Sequence, residues 1–462
     1  MKFGGTSVGS AERMRVAARI GAEQKRKRPT LVVVSAMSGI TDLLFDSMRH
    51  AEAGDTAGLD ANIGILEQRH AQACRELLPA ARQPETLAGI EKLLAVFRRI
   101  TGGMLMLNDR PPRSVDEALA IGERLSALLV AAFLESEGVR AMAFNAADAI
   151  VTDAVYGNAS PVMEATREKA RQSLCPLLVE GILPVVTGFN GATADGRPTT
   201  LGRGGSDFSA AILAAALDAV ELWIWTDVDG IMTADPRLVP EARVLSEVTY
   251  SEAAELAYNG AKVLHPRTLS PLAGREIPVW SKNSFAVEKP GTRIVSRIPT
   301  SSGARAVTST SKVALISMEP SSATLMGAQV MGRALEALAR ANVEVLQLSS
   351  SSFRQSFCFL VRSEELRAAL QGLETALALE LAHGYLSPIE VDDEVGLLAI
   401  VGEGMRGTPG LAGRIFTAIS REKVNIIAIA QGSSELTISI VVRRDGLEKA
   451  VRAVHQECGM GN

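Results

Sequence analysis

Runs of apolar residues separated by helical patterns constrain the fold of this chain most. Residues 31–34, 183–189 and 222–225 are apolar at most of their positions, and helical stretches lie between them. A strand that is apolar on both faces is buried on both faces, which is typical of a parallel sheet covered by helices. Residues 1–298 are therefore predicted to form an α/β domain with three αβα layers and a largely parallel sheet.

An internal repeat follows this domain. Residues 313–361 align without gaps on residues 394–442, and each copy reads as strand, glycine- or serine-rich loop, helix, strand, turn and strand. Such units cannot bury a sheet alone, so the repeat indicates a paired regulatory module. We predict two α+β domains, 313–390 and 391–462, after a linker or first strand at 299–312.

The composition excludes several classes of protein. The length of 462 residues allows two or three domains, and the net charge of −4 gives no electrostatic footprint for nucleic acid. The basic run at 24–28 is predicted to be a solvated helix end. The four cysteines and five histidines are scattered, which disfavours a zinc site or disulfide framework and fits the reducing cytoplasm. No apolar run approaches the ~20 residues of a membrane span, and no signal region is visible.

Two glycine-rich turns are candidate anion sites. Residues 2–7 place Lys2 beside the turn Gly4-Gly5, and residues 201–207 form a second turn before a helix. Glycines let backbone N–H groups approach an anion, and a helix start adds partial positive charge. The first turn matches neither a P-loop nor a dinucleotide fingerprint, and most such pairs are only turns.

The second turn carries two charged side chains. Arg203 offers a planar fork for a carboxylate or phosphate. Ser206 or Asp207 is predicted to cap the following helix, and Asp207 could orient neighbouring groups through hydrogen bonds.

An acidic turn and a lysine extend the pattern. Residues 226–230 follow a predicted strand and could hold a ribose or a hydrated Mg²⁺, although a solvated turn explains them equally well. Lys262 could reach a phosphate, although a lone lysine is usually just exposed. Together these features indicate phosphoryl transfer, which needs positioning and charge neutralisation. A carboxylate acceptor would need no general base, because it is already ionised at pH 7.

These motifs together resemble the aspartokinases of the amino acid kinase superfamily, and the repeat resembles their tandem ACT (ferredoxin-like) domains. The matching segments are residues 2–7, 34–42, 122–126, 202–207, 226–230 and 261–266. The resemblance implies ATP- and Mg²⁺-dependent phosphorylation of L-aspartate to 4-phospho-L-aspartate, the first step towards lysine, threonine and methionine. It also implies feedback control by lysine or threonine and a homo-oligomer formed through the ACT domains.

The resemblance also implies roles for individual residues. The catalytic residues would be Lys2 and Asp207, with Lys2 at the transferring phosphoryl group. Aspartate would be bound by Ser35, Thr41, Glu123, Arg203 and Ser206. ATP would be bound by Lys2, Gly4, Gly5, Thr226, Asp227, Arg237, Lys262 and Val263. The effector would be bound by Gln431 and Ser350, and no residue is predicted to ligate a metal directly.

The chain departs from the family pattern at several points. Met232 stands where relatives often carry tyrosine, and Ser350 and Arg354 align with Gln431 and Glu435 of the second copy. We therefore expect the two ACT domains to be inequivalent effector sites. Because no G-x-G-x-x-G follows the repeat, the chain is expected to be monofunctional or an excised piece. Lys2 should close a strand, so this strand is either very short or begins upstream.

Two other functions compete with this one. A different amino acid kinase, such as an acetylglutamate or uridylate kinase, is disfavoured by Glu123, Arg203 and the ACT pair. An amino-acid sensor with an inactive kinase domain is disfavoured because Lys2, Asp207 and Lys262 are retained.

Overall fold

The computed structural model describes residues 1–261, 264, 266–298, 303–321, 327–351 and 356–461. These residues form two compact units. Unit 1 comprises Met1–Ile231, Ser246–Tyr250 and Leu264–Ser296. Unit 2 comprises Met232–Leu245, Ser251–Val263 and Arg297–Asn462. None of the helices in the described ranges is both long and apolar enough to cross a membrane.

The helices are α1 (Ala11–Lys27), α2 (Ile40–Glu52), α3 (Thr56–Leu77), α4 (Gln83–Leu107), α5 (Pro112–Ser136), α6 (Met163–Val179), α7 (Gly205–Ala216), α8 (Tyr250–Tyr258), α9 (Pro266–Ala273), α10 (Gly327–Arg340), α11 (Leu366–Ala376), α12 (Ala378–Ala382), α13 (Leu411–Arg421) and α14 (Leu447–Glu457). The strands are β1 (Lys2–Phe3), β2 (Val32–Val34), β3 (Ala141–Phe144), β4 (Val151–Thr152), β5 (Leu183–Thr187), β6 (Asn190–Thr193), β7 (Pro198–Thr200), β8 (Leu222–Thr226), β9 (Glu247–Thr249), β10 (Val279–Asn283), β11 (Thr292–Val295), β12 (Ala306–Thr310), β13 (Val313–Met318), β14 (Gln347–Ser350), β15 (Phe357–Arg362), β16 (Glu390–Asp392), β17 (Val395–Val401), β18 (Ile426–Gln431) and β19 (Thr437–Arg443).

Unit 1 is built on an eight-stranded sheet in the order β3-β5-β2-β1-β8-β10-β11-β9. Its neighbouring strands run parallel except for the antiparallel pair β10 and β11, which confirms the predicted largely parallel sheet. The first strand is only Lys2–Phe3, yet it lies in the centre, with Lys2 paired to Val33 and to Ile224. Strands β4, β6 and β7 form a separate three-stranded sheet in that order.

Helices cover both faces of the large sheet. Val32 and Val34 of β2 belong to the same buried core as residues of α1 and α5. Val33, between them, lines a cavity together with Leu213 and Ala214 of α7. Since successive strand side chains point to opposite faces, α7 lies on the face opposite α1 and α5. The three-layer arrangement expected from the apolar runs is therefore present.

One motif lies inside a helix, and one local prediction was wrong. Residues 122–126 lie in the middle of α5, which begins at Pro112, because proline suits the first helical turn. Ser206 and Asp207 were expected to cap α7, but the cap is Gly204, with φ of 71° and no side-chain cap hydrogen bond. A glycine adopts this left-handed conformation at little cost, so it ends the loop without a capping hydroxyl or carboxylate.

Unit 2 contains two four-stranded antiparallel sheets, ordered β14-β15-β13-β16 and β12-β17-β19-β18. The elements β13-α10-β14-β15-α11 recur as β17-α13-β18-β19-α14, so the repeat predicted from sequence is present and each copy has a second helix. The fourth strand of each sheet comes from the segment that precedes the other copy in sequence. Strand β12 precedes the first copy but joins the second sheet, and β16 precedes the second copy but joins the first.

The two sheets of unit 2 also share a core. Each sheet buries one face against its own helices. Side chains of both sheets meet in a third apolar cluster that contains Val313, Leu315, Leu360, Val395, Leu397 and Val441. The predicted domain limits within 299–462 stay a prediction, because the exchanged strands tie the two copies together.

Candidate functional site

The carboxyl ends of the central strands of unit 1 form one edge of the sheet. The Ser35 N–H donates to the carbonyl of Phe3 at 3.1 Å, and the Gly188 N–H donates to the carbonyl of Val34 at 2.8 Å. The Gly4 N–H approaches the carbonyl of Trp225 at 3.4 Å. Ligands of open parallel sheets bind at this edge, and the loops predicted to bind substrates meet there.

Lys2 and Asp207 form an ion pair at this edge. The Lys2 ammonium lies 2.6 Å from a carboxylate oxygen of Asp207, and both side chains are largely buried. Lys2 lies on β1 and Asp207 on the first turn of α7, so the pair joins the sheet to a helix start. The carboxylate fixes the position of the ammonium while leaving its remaining protons able to donate.

Glycines allow the backbone to pack closely around this pair. A Cβ atom on Gly4 would lie 3.3 Å from the Lys2 nitrogen, and one on Gly5 would lie 3.1 Å from the carbonyl oxygen of Ala36. A Cβ on Gly188 would lie 2.6 Å from the Cβ of Ser206. Any side chain at Gly188 would therefore displace the start of α7. Within the sequence, Gly188 is visible only as part of the apolar run 183–189, because close approach between distant segments has no local signature.

Glu123 is a buried carboxylate next to the same edge. One of its oxygens accepts a hydrogen bond from the Ala36 N–H at 3.1 Å, and the other has no hydrogen-bond partner in the described ranges. Burial raises the pKa of Glu123 to about 8, although the Ala36 N–H and the Lys2 charge both favour ionisation. Gly122 allows this approach, because a Cβ there would lie 2.9 Å from the Cβ of Ala36.

The start of α7 supplies the second predicted anion site. Gly202 and Gly204 have φ values of 76° and 71°, so the loop turns sharply before the helix. The free N–H groups of the first helical turn carry partial positive charge. Arg203 is exposed in this loop, and Ser206 is half-buried on the first turn. The start of α7 therefore carries partial positive charge next to the Lys2–Asp207 pair.

The remaining residues predicted to bind aspartate follow β2. Ser35 is half-buried directly after this strand, and Thr41 is half-buried at the second position of α2. Gly39, with φ of 76°, begins that helix without a side-chain cap hydrogen bond. Both hydroxyls therefore lie near strand and helix ends of the kind that bind polar ligands.

The two carboxylates of the acidic turn after β8, Asp227 and Asp229, have different surroundings. Asp229 accepts hydrogen bonds from Asn283 at 2.6 Å and from Lys289 at 2.6 Å, and these bonds lower the pKa of Asp229. Asp227 is exposed, and the Thr226 hydroxyl accepts a hydrogen bond from the Val228 N–H at 3.0 Å. Asp229 therefore holds the turn in place, and Asp227 presents its carboxylate to solvent.

The remaining predicted residues belong to unit 2 or lie outside the described ranges. Arg237 belongs to unit 2 and pairs with Asp235 at 2.5 Å. Lys262 and Val263 lie outside the residues that the structure describes. Gln431 and Ser350 occupy the last, exposed positions of the equivalent strands β18 and β14.

Asp116 is a supporting residue that the sequence did not reveal. Its buried carboxylate accepts hydrogen bonds from the Gly157 N–H at 2.9 Å and from the N–H and hydroxyl of Thr200, both at 2.8 Å. Thr200 leads directly into the loop with Arg203, so Asp116 anchors that loop to α5. An isolated aspartate in a long helix carries no signal for this role.

We expect Asp116→Ala to destabilise unit 1. The substitution leaves the two buried donors of Thr200 and the N–H of the exposed Gly157 without their acceptor, which costs about 2–4 kcal/mol. A lower urea midpoint of the unit 1 transition, followed by tryptophan fluorescence, measures the loss. Asp60→Ala, at an exposed position of α3, is the matched control and should leave the midpoint unchanged. Equal midpoints for both variants would show that Asp116 does not anchor the loop.

Two family models match the chain. The model described as "Amino acid kinase family" matches residues 1–283, and one described as "ACT domain" matches residues 398–458.

Curated relatives match the chain over 98% or more of its length. It is 35% identical over 461 residues to "Bifunctional aspartokinase/homoserine dehydrogenase 1, chloroplastic" of Arabidopsis thaliana, a match that covers 98% of this chain and 50% of that protein. It is 32% identical over 470 residues to "Aspartokinase" of Mycolicibacterium smegmatis, with 100% of this chain and 96% of that protein covered. The chain thus spans about half the length of the bifunctional relatives it matches.

Solved structures show the same fold. Aspartokinase III of E. coli in complex with aspartate and ADP (R-state) superposes with a TM-score of 0.82 at 31% identity, covering 99% of this chain and 98% of that chain. The same enzyme in complex with lysine and aspartate (T-state) gives a TM-score of 0.81 at 31% identity and the same coverage.

Proposed function

The chain belongs to the amino acid kinase family, in which it groups with the aspartokinases, and we propose that it phosphorylates the side-chain carboxylate of L-aspartate with ATP. The product would be 4-phospho-L-aspartate. One observation carries this proposal: the Lys2–Asp207 pair and the buried Glu123 carboxylate meet at one sheet edge, where the Lys2 charge acts on Glu123. A similar enzyme, aspartokinase III of E. coli, binds aspartate and ADP.

Lys2 is the proposed catalytic cation. An oxygen of the aspartate side chain attacks the γ-phosphorus of ATP, and the bond from that phosphorus to the β-phosphate oxygen breaks to release ADP. Phosphoryl transfer depends on positioning and on neutralising charge on the phosphoryl oxygens. The Lys2 ammonium, held by Asp207, supplies this charge, and Gly4 and Gly5 let the backbone approach. The ionised acceptor needs no general base.

Mg²⁺ would be held mainly by the nucleotide. In the described part of the chain, no three His, Cys, Asp or Glu side chains are grouped closely enough to bind a metal ion. Mg²⁺ commonly keeps several waters and uses one or two carboxylates together with substrate phosphates. The exposed Asp227 carboxylate fits such a role through water, and the bound ion would neutralise phosphate charge. Thr226, Arg237, Lys262 and Val263 are the further proposed nucleotide contacts.

Aspartate would be recognised by opposite charges at its two ends. Arg203 suits the α-carboxylate, because its guanidinium can donate two parallel hydrogen bonds. Glu123 suits the α-ammonium, because one of its two carboxylate oxygens accepts from the Ala36 N–H and the other has no hydrogen-bond partner in the described ranges. The hydroxyls of Ser35, Thr41 and Ser206 would complete the site.

We expect the KM for aspartate to fall as the pH rises from 6 to 8. Glu123 must be ionised to pair with an ammonium, and its pKa of about 8 keeps it mostly protonated at pH 6. Each pH unit below the pKa then costs up to about tenfold in KM. Initial rates at saturating ATP across this range, at constant ionic strength, measure the effect. A KM that is flat over the range would contradict the assigned role of Glu123.

The ACT domains are the proposed effector sites. Aspartokinase III of E. coli binds lysine, which supports an amino-acid effector here. Gln431 offers an amide at the end of β18, whereas Ser350 offers only a hydroxyl at the matching end of β14. We propose that pathway amino acids bind the second copy preferentially and that the chain forms a homo-oligomer through its ACT domains.

Gln431→Ala should therefore abolish effector binding, and Ser350→Ala should change it less than about threefold. An amide forms two directed hydrogen bonds that alanine cannot replace. Calorimetry with threonine and with lysine gives the affinity and stoichiometry. Two equal binding sites per chain would contradict the proposed inequivalence.

An ADP-release assay with aspartate tests the main proposal. Turnover of another acid but not of aspartate would favour a different amino acid kinase. Effector binding without turnover of any acid would favour a sensor. We further propose a catalytic domain at 1–298, ACT domains at 313–390 and 391–462, and a cytoplasmic location, which the four unpaired cysteines fit.

A further inference from the structure

We propose that a cavity in unit 1 binds an amphipathic anion, which is a molecule with an apolar body and one negatively charged group such as a carboxylate. The cavity is lined by Leu31, directly before β2, by Leu222, the first residue of β8, and by residues of α7. It therefore lies at the amino ends of these strands, and we call it the amino-end cavity. Its volume is about 310 Å³, at the small end of the usual range for ligand sites.

Apolar side chains form most of the wall of the amino-end cavity. They include Val33 of β2, Leu213 and Ala214 of α7, and Trp223 of β8. Val220 also lines the cavity and is 81% exposed, so the cavity opens to solvent. Water finds few hydrogen-bond partners against such a wall. Displacing that water with an apolar group is favourable, so the wall suits the hydrocarbon part of a ligand.

One side of the cavity carries an excess of positive charge. Asp218 lines the cavity, and its carboxylate is surrounded by three arginines. It lies 3.6 Å from the Arg167 guanidinium and 2.6 Å from that of Arg275, and it also pairs with Arg171. Three guanidinium groups around one carboxylate give this cluster a net charge of +2. Each guanidinium has several N–H donors, so the cluster can bind a second anion.

The other charged pair of the wall is balanced. Arg28 and Glu221 both line the cavity and form an ion pair at 2.6 Å. The Arg28 guanidinium also lies over the Trp223 ring, 5.3 Å from its centroid. This pair adds no net charge to the wall. The cluster around Asp218 therefore determines which sign of charge the cavity prefers.

An amphipathic anion matches both features of the amino-end cavity. Its apolar body would lie against Leu213 and Trp223, and its anionic group would lie near Asp218. An arginine can donate two parallel hydrogen bonds to one carboxylate, which favours this charged group over a point charge. A cation with the same apolar body would meet the excess positive charge and be repelled.

The amino-end cavity is independent of the proposed kinase site. Its described lining residues include none of those assigned to aspartate, ATP or an effector. The proposed substrate loops follow the carboxyl ends of the strands, whereas this cavity lies at their amino ends. Binding of the anion and turnover of aspartate can therefore fail independently.

Calorimetry of the full chain with sodium octanoate tests the proposal. We expect one saturable site per chain, with affinity that falls as salt is added. Each buried CH2 group strengthens binding about fourfold, so butanoate should bind more than about 100-fold more weakly. Octylammonium has the same chain with the opposite charge and should not bind. No saturable binding of octanoate at 10 mM, or equal binding of octylammonium, would overturn the proposal.

A cavity-filling substitution locates the site. Ala219 is half-buried and lines the cavity, so the ring of Ala219→Phe should occupy it and weaken octanoate binding at least tenfold. Ala71→Phe, the same change at a half-buried position of α3, is the matched control and should bind like the unmodified chain. A folded Ala219→Phe protein with unchanged affinity would refute the site.

A second substitution tests the charge argument and should strengthen binding. Asp218 has φ of 48°, a conformation that asparagine also adopts readily, so Asp218→Asn is compatible with the backbone. It removes the carboxylate that competes for the three arginines, so octanoate should bind at least threefold more tightly. Asp60→Asn, at an exposed position of α3, should leave the affinity unchanged. Equal or weaker binding in Asp218→Asn would contradict the role of the cluster, even if Ala219→Phe does not fold.

Discussion

Lys2→Ala should lower kcat by about 10³-fold and raise the KM for aspartate less than about threefold. The Lys2 ammonium is proposed to stabilise charge that develops on the transferring phosphoryl group. An interaction that strengthens only in the transition state changes kcat rather than KM. Removing one preorganised group of this kind costs about 4 kcal/mol in activation free energy. Steady-state rates of ADP release at varied aspartate measure both constants.

The control must separate catalysis from stability. Lys2→Ala leaves Asp207 without its partner in a largely buried position, so the circular dichroism spectrum and the melting temperature must be compared first. Lys27→Ala removes an exposed lysine that pairs with Glu23, and it should leave kcat unchanged. A folded Lys2→Ala protein with near-normal kcat would refute the catalytic role.

Glu123→Gln should have two effects of opposite sign. The KM for aspartate should rise about 100-fold, because the amide cannot form the charged bond to the α-ammonium, a loss of about 2.7 kcal/mol. The stability of the substrate-free protein should increase. Glu123 has a pKa of about 8 in the folded chain, against an ordinary value of 4.5 that we expect in the unfolded chain, so the folded chain binds the extra proton between these values.

The pH dependence of stability follows from this difference. The free energy of unfolding contributed by Glu123 falls as the pH rises from 4.5 to 8 and is lowest above pH 8. The Glu123→Gln variant has no carboxylate to ionise, so it avoids this loss of stability. Its free energy of unfolding should exceed that of the unmodified protein most above pH 8, by a few kcal/mol. Urea unfolding at pH 5 and pH 9 measures it. Glu135→Gln, exposed on the same helix, is the control, and an equal gain there would contradict the interpretation.

The parallel sheet was predictable because buried strands leave a local trace. The apolar runs at 31–34, 183–189 and 222–225 correspond to β2, β5 and β8, and the repeat appears as two similar sheets. Patterns of this kind depend only on neighbouring positions along the chain. The motif containing Lys2 and the motif containing Asp207 were also visible, and the structure places the two side chains in contact.

Other features depend on contacts between distant segments. The burial that raises the pKa of Glu123 is set by the approach of α5 to Ala36. The contact of Gly188 with Ser206 depends on how β5 and α7 meet. The cap of α7 was misread because a left-handed glycine replaced the expected carboxylate or hydroxyl. None of these can be deduced from residue type alone.

The exchanged strands of unit 2 affect how the protein folds during its synthesis. Strand β12 leaves the ribosome before the first copy, but its partner β17 is formed by Val395–Val401. At about 5–20 residues per second, the nascent β12 waits about 5–20 seconds with its hydrogen-bonding edge unpaired. The first sheet likewise lacks β16 until residues 390–392 have emerged. The first sheet is therefore complete once residues 390–392 have emerged, and the second only once Thr437–Arg443 has emerged, so neither copy completes its sheet from its own residues alone.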